Sequence, residues 1–333
     1  LNEALTEINA GTYIEPSKMK IGQWMDVWLK EYTMNSVQPS TYARNEHIIR
    51  KYIKPIIGEC ILKDLRHDMV QRYINNLNSE GVSSGQIQRA YNLLKNACEQ
   101  AVINEMIPKN PVLRTKYPKH KVSEARVLTR EEQEKLVKVA PLYPDGNIFI
   151  FMLFTGLRVG EALALTWDDI DFDNKTAEVN KSQTRYKRID GKVVYALGVS
   201  KPKTETSNRK VPLIPKLVDM LEKLKTENEN KKLLFGDDYN SENIVFCNAE
   251  GKMSHSSNIR RRLQTITKQL GIEGVHPHTM RHTFATRGAE QGIDIKVMQT
   301  LLGHSEINTT ANIYTHVLEE QKVLNISNLE PLL

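Results

Sequence analysis

Between Ile107 and Lys121 the apolar periodicity of the chain stops, and this break constrains the fold more than any other feature of the 333 residues. Pro108 and Pro111 stand within Ile107-Pro-Lys-Asn-Pro111. A residue that precedes proline is pushed out of the helical region, so a helix ends here. The stretch that follows, Arg114-Thr-Lys-Tyr-Pro-Lys-His-Lys121, is basic, contains proline and has no period. Residues 114–125 therefore read as an interdomain linker, with a folded domain on either side.

The front domain, residues 18–113, reads as all-helical. From Ile21 to Met34, the residues Ile21, Trp24, Met25, Trp28 and Leu29 recur at helical spacing, which assigns both tryptophans to a core. Pro39-Ser-Thr41 starts a second helix that runs to about Ile53, and Asp64–Leu77 and Ser83–Ile103 supply two more. The last aligns Ile87, Ala90, Tyr91, Leu94, Ala97 and Ala101 on one face. Ahead of this domain, the chain opens at Leu1 partway into what reads as a helix. Residues 1–17 are thus expected to be the remnant of an N-terminal linker or arm region.

Behind the break, Thr129-Arg-Glu-Glu132 has the form of a capping box and starts the second domain, residues 126–317. Its most apolar stretch, Ile148–Leu165, is interrupted by Thr155-Gly156, Arg158 and Glu161, so it reads as a buried helix followed by a turn and not as a membrane span. Lys175–Val199 alternates in the manner of strands, with Asp190-Gly191 at a turn, and Arg209–Ile214 reads as a further strand. Helical spacing returns from Pro215. The expected fold is therefore multi-domain: an all-α domain followed by an α+β domain, mainly helical with a small antiparallel sheet.

The net charge of +6 is uneven. Residues 1–121 hold 17 Lys and Arg against 12 Asp and Glu, the remainder 29 against 28. A basic front third favours a polyanionic partner through phosphate contacts and counterion release. Arg44, Arg50 and Lys51 on the second helix, with Arg114, Lys116, Lys119 and Lys121 in the linker, are the candidate contacts to such a polyanion. Three cysteines without CxxC spacing indicate neither a disulfide framework nor a cysteine zinc site, which fits a reducing cytoplasm.

Four segments of the second domain are polar where the pattern predicts core or turn. They are Thr155-Gly-Leu-Arg-Val-Gly-Glu161, Lys201-Pro-Lys-Thr204, His276-Pro-His-Thr-Met-Arg-His282, and Leu301-Leu-Gly-His-Ser305 leading to Tyr314. Arg158 follows an apolar run, so its guanidinium must be paired, with Glu161 one turn on as the ordinary partner, or must face a ligand. His278 and Arg281 project to one face of a helix that Pro277 is placed to begin. His278 and His282 are four apart, as in helical zinc sites, but no Glu lies between them and Arg281 would set a cation beside the metal. No metal or other cofactor is expected.

Taken in order, Arg158, Lys203, His278-x-x-Arg281, His304 and Tyr314 resemble the tyrosine recombinase (phage integrase) family, in particular integrases of temperate phages and conjugative transposons. The resemblance covers nearly the whole chain, and it implies a SAM-like core-binding domain followed by a recombinase catalytic domain. It implies a site-specific DNA recombinase that forms a 3′-phosphotyrosyl bond without metal or ATP. In that scheme Tyr314 is the nucleophile and Arg158 and Arg281 bind the phosphate. His278 serves as general base, Lys203 as general acid, His304 as a further donor, and Glu161 as support. Lys201, on the same turn, is the alternative to Lys203. The implied partners are double-stranded DNA at attachment or transposon-end sites, further copies of the chain as a dimer or tetramer, and an accessory directionality factor, with no membrane. The implied location is the bacterial cytoplasm, at the nucleoid. The apolar tail, residues 318–333, is expected to dock on this subunit or a neighbour. The competing classes are a type IB topoisomerase-like enzyme, a non-catalytic DNA-binding protein and a metal-dependent nuclease.

Overall fold

The computed structural model describes residues 18–118, 125–200, 208–311 and 314. Contacts divide these into two units, the first being residues up to 118 with Arg185–Ala196 and the second the rest. The expected stretches 1–17 and 318–333 lie outside the described residues, as do Lys119, Lys121, Lys201 and Lys203.

Over residues 18–118 the first unit is helical. α1 (Ile21–Val27) widens into a π-helical turn at Trp28–Thr33, and α2 (Pro39–Ile48) does the same at Ile49–Ile53 before the short α3 (Lys54–Ile57). Proline at the start of α2 supplies a fixed φ where no N–H is needed. α4 (His67–Ser79) and α5 (Ser84–Ile103) complete the unit. The whole apolar face assigned to α5 from its spacing is buried, and Trp24 and Trp28 join that core. The Trp24 indole donates to the carbonyl of Ala97 at 2.8 Å, which satisfies the one polar atom the ring brings inside. Gln71 clamps the backbone of Lys116 through both N–H and C=O, each at 2.9 Å, and Tyr117 packs on Tyr91 with ring centroids 4.6 Å apart. The first residues of the basic stretch are therefore held against the helical unit.

The second unit begins with the expected capping box: Thr129 Oγ1 accepts from the Glu132 amide at 3.2 Å, and Glu132 Oε2 accepts from the Thr129 amide at 2.9 Å. α6 (Arg130–Val139), α7 (Asn147–Thr155) and α8 (Val159–Ala164) follow. Among the described residues, the small antiparallel sheet expected from the alternation is present, divided into two parts. β1 (Ile170–Asp171), β2 (Thr176–Val179) and β5 (Arg209–Pro212) form an antiparallel three-stranded sheet in the order β1-β2-β5, with Ala177 opposite Val211 and Val179 opposite Arg209. β3 (Ser182–Ile189) and β4 (Lys192–Ser200) form a separate hairpin turned by Asp190 and Gly191, whose outer part, Arg185–Ala196, is counted with the first unit.

α9 (Pro215–Phe235), α10 (Ser256–Gln269), α11 (Pro277–Glu290) and α12 (Ile295–Leu302) close the unit. α7 is apolar all round because it is enclosed: Phe149, Phe151 and Met152 are fully buried, and α11 lies along it. Among the described residues, no helix is long and apolar enough to cross a membrane.

Candidate active site

α7 ends at Gly156, whose φ of +68° is a left-handed cap. A Cβ there would come within 2.5 Å of the Phe284 ring and 2.9 Å of Leu302, so both the angle and the space require glycine. The turn delivers Arg158 to the start of α8. Its amide donates to Glu161 Oε2 at 2.8 Å and its Nη1 to Glu161 Oε1 at 2.7 Å. The ordinary partner foreseen for Arg158 is thus present, yet the guanidinium side chain stays 39% exposed and keeps donors available.

Arg281, on α11, is 1% exposed. Its recorded bonds go to main-chain oxygens, Nη1 to Gly156 at 2.9 Å and Nη2 to Leu302 at 2.5 Å. Burial, then the nearby charge of Arg158, pull its pKa down to about 9, with Glu161 acting the other way.

His278 stands one turn before Arg281 and is exposed to solvent. Its ring meets His282 edge-on with centroids 4.8 Å apart. The protein atoms packed around it, and then His282, Arg281 and Arg158, lower its pKa to about 4. His304 follows the end of α12 and shares a 2.9 Å hydrogen bond between Nδ1 and Thr310 Oγ1. Burial, then Arg281 and Arg158, bring its pKa to about 3. Both imidazoles are therefore neutral at neutral pH in the DNA-free protein.

Glu161 is buried between two guanidinium groups, because Arg209 at the start of β5 also donates to it, from Nη2 to Oε2 at 2.9 Å. Arg209 Nε donates to the carbonyl of Leu301 at 2.6 Å. Burial raises the Glu161 pKa, but Arg209 and Arg158 outweigh it and the net shift is downward. Arg209 was absent from the candidate set. Its signal was the strand alternation, which puts Arg209 on the inward face with Val211.

Tyr314 is buried, and it is placed apart from these donors in its bonding. Its hydroxyl donates to the Ile293 carbonyl at 2.9 Å, and its ring joins an apolar cluster with Ala285, Ala289, Met298 and Leu302. Burial, then Asp294, raise its pKa to about 12, the reverse of activation. In the first unit Arg44, Arg50, Lys51, Arg114 and Lys116 are all exposed, and Lys51 Nζ lies 5.1 Å from the centre of the Tyr52 ring.

Residues 126–321 match the model of the phage integrase family, and residues 20–78 match that of the phage integrase N-terminal SAM-like domain. The chain belongs to the phage integrase family. The chain is 32% identical to a XerC-like tyrosine recombinase of Caldanaerobacter subterraneus, a match that covers 99% of this chain and 88% of the relative. Its fold is similar to the Tn1549 transposon integrase solved with a circular intermediate DNA, with a TM-score of 0.79 and 22% identity over 93% of this chain and 99% of that one. It is also similar to lambda integrase in a tetramer bound to a Holliday junction, with a TM-score of 0.67 and 20% identity over 94% and 84% of the two chains. As a member of the family, the chain is a tyrosine recombinase, an enzyme of DNA cleavage and rejoining. The topoisomerase-like and non-catalytic readings are not favoured.

Proposed function

We propose that this protein exchanges DNA strands at the ends of a mobile element through a covalent bond between Tyr314 and a backbone phosphate. The observation that carries the reading is Arg281, a buried guanidinium bonded to two main-chain carbonyls, in a cluster with Arg158 and two neutral histidines. A phosphodiester resists attack because its nonbridging oxygens are anionic and its leaving alkoxide is a strong base. Arg158 and Arg281 answer the first difficulty by holding those oxygens and the charge that builds on a pentacoordinate phosphorus.

In the proposed step Tyr314 Oη attacks phosphorus while His278, neutral and therefore able to accept, takes the phenolic proton. The bond from phosphorus to the 5′ oxygen breaks as Lys203 protonates that oxygen, leaving a 3′-phosphotyrosine and a 5′-hydroxyl. His304 donates a further hydrogen bond to the phosphate. A 5′-hydroxyl from another strand reverses the reaction, so the phosphoester is conserved without ATP or a metal ion. Tyr314 must leave the Ile293 carbonyl before it can attack, and a free tyrosine is only about one-thousandth ionised at pH 7.

The helical unit and the basic stretch, through Arg44, Arg50, Lys51, Arg114, Lys116, Lys119 and Lys121, contribute largely sequence-independent phosphate contacts in this scheme. Strand exchange takes place in a dimer or tetramer on DNA, with an accessory directionality factor, in the bacterial cytoplasm. The similar structures of a transposon integrase on DNA and of lambda integrase as a tetramer on a Holliday junction support the assembly on DNA.

The test is covalent capture on a nicked suicide duplex taken from the ends of the element. Tyr314→Phe is expected to abolish the adduct while DNA binding stays within a few fold, and the intact protein is expected to cut in excess chelator. An adduct from Tyr314→Phe, or activity that returns only with added metal, would overturn the reading.

A further inference from the structure

We propose that Arg209 is a positioning residue for DNA cleavage, tying the carboxylate that orients Arg158 to the main chain that presents His304. The inference rests on the reading of this cluster as a phosphate-binding centre. Arg209 is itself buried and lies behind the donors that would meet DNA.

The geometry is a closed chain of bonds. Arg158 is fixed by Glu161 at its amide and at its side chain, and Glu161 has both oxygens within reach of Arg209, at 2.9 Å from Nη2 and 3.4 Å from Nη1. The third donor of the Arg209 fork, Nε, reaches the carbonyl of Leu301 at the end of α12. That helix end is a Schellman turn: the Gly303 amide returns to Thr300 at 3.0 Å and the His304 amide to Gln299 at 3.2 Å. These two bonds leave the carbonyls of Leu301 and Leu302 for other donors, and Arg209 takes one while Arg281 takes the other. Two guanidinium groups thus hold the negative end of α12, directly before His304.

Contact is tight at this point. A Cβ on Gly303, where φ is +63°, would come 3.0 Å from Arg209 Nη1, so the backbone passes close over the guanidinium plane. A planar fork that binds a carboxylate on one side and a carbonyl on another fixes both at once, which lysine, a single point of charge, does not reproduce. Losing the fork frees Glu161, and with it Arg158, from the turn that carries His304. A displacement of about 1 Å in an aligned site costs on the order of 100-fold in rate.

The experiment measures single-turnover adduct formation at saturating duplex, together with DNA affinity and thermal stability, for Arg209→Gln, Arg209→Lys and the neutral pair Glu161→Gln with Arg209→Met. The adduct rate is expected to fall about 100-fold in each, with affinity within a few fold. The pair is included because it removes both buried charges and so keeps a folded protein if the single variants unfold. Free guanidinium ion is expected to restore part of the rate to Arg209→Ala, whereas ethylammonium is not. The exposed neighbour variant Lys210→Ala should cleave at the wild-type rate. Wild-type rates in a folded Arg209 variant would overturn the proposal alone. An intact protein that forms no Tyr314 adduct would overturn it together with the functional reading.

Discussion

The two units bury different chemistry. The helical unit closes over an apolar core in which Ile53, Leu77, Ala97 and Cys98 are fully buried, and its buried polar side chains are small and neutral: Thr33, Asn110 and Thr115. The second unit also has an apolar core around Phe149, Phe151 and Met280, but it encloses Glu161, Asp169, Arg209 and Arg281 as well. Apolar burial contributes roughly 1.5–3 kcal/mol for each large side chain. Burying an ion has a desolvation cost that its partners seldom exceed by much. The first unit is therefore built for stability, and the second holds charge in a low-dielectric setting, where the proposed phosphate contacts would be stronger than in water.

Matched substitutions test this contrast most severely. Leu77→Ala, in the helical core, is expected to cost about 2–5 kcal/mol of stability in denaturant titration, while the rate of adduct formation at saturating DNA stays near wild type. Arg281→Gln is expected to do the opposite. Cleavage should fall on the order of 100- to 1,000-fold, as when an electrostatic donor is lost from a transition state, with a smaller change in stability than Leu77→Ala. The contrast breaks if Arg281→Gln unfolds the protein as readily as Leu77→Ala, or if the core variant loses its cleavage rate while still folded.

A milder effect concerns pH. His278 and His304 have folded pKa values of about 4 and about 3, each lowered first by burial, against about 6.5 in an unfolded chain. Below pH 6.5 the unfolded chain binds protons that the native state refuses, so these groups lower stability as pH falls toward 4 and have no such effect above 6.5. A bound phosphate brings negative charge to both rings and should raise both values. Titrating the imidazole resonances with and without duplex measures this directly. A midpoint near 6.5 for either ring in the DNA-free protein would contradict the charge-crowded picture of the site.

The contrast also governs what could be read from sequence. Periodicity reported the helical unit well because its core follows from apolar spacing: the α5 face and both tryptophans lie where the pattern puts them. The π-helical widening at Trp28–Thr33 left no trace, since it keeps the same residues inside. In the second unit, motif order nominated Arg158, His278, Arg281, His304 and Tyr314 but not their bonding. Arg158 with Glu161 followed from helical spacing, whereas the tie from Glu161 through Arg209 to Leu301 joins residues far apart in the chain. Nor could spacing show Tyr314 bonded to the Ile293 carbonyl, because that contact depends on how α12 folds back.

Tyr314 supplies the smallest and most discriminating expectation, for it is an ionisable group of the second unit whose ring is held in an apolar cluster. Asp294, next to its carbonyl partner Ile293, caps α12 by accepting from the amides of Lys296 at 2.7 Å and Val297 at 3.4 Å. Its charge is the second cause of the raised Tyr314 pKa, after burial. Asn caps a helix about as well as Asp, so Asp294→Asn removes the charge and leaves the turn in place. The change at the helix N-terminus should cost only about 0.3–1 kcal/mol. The phenol should then titrate at lower pH than in the wild type yet still above 10, because the apolar cluster that opposes the phenolate is unchanged. Tyrosine labelled with carbon-13 at the ζ position, with Tyr314→Phe to assign the resonance, gives that midpoint. A fall to 10 would make the carboxylate and not burial the force that keeps Tyr314 neutral, and an unmoved midpoint would show that Asp294 plays no part.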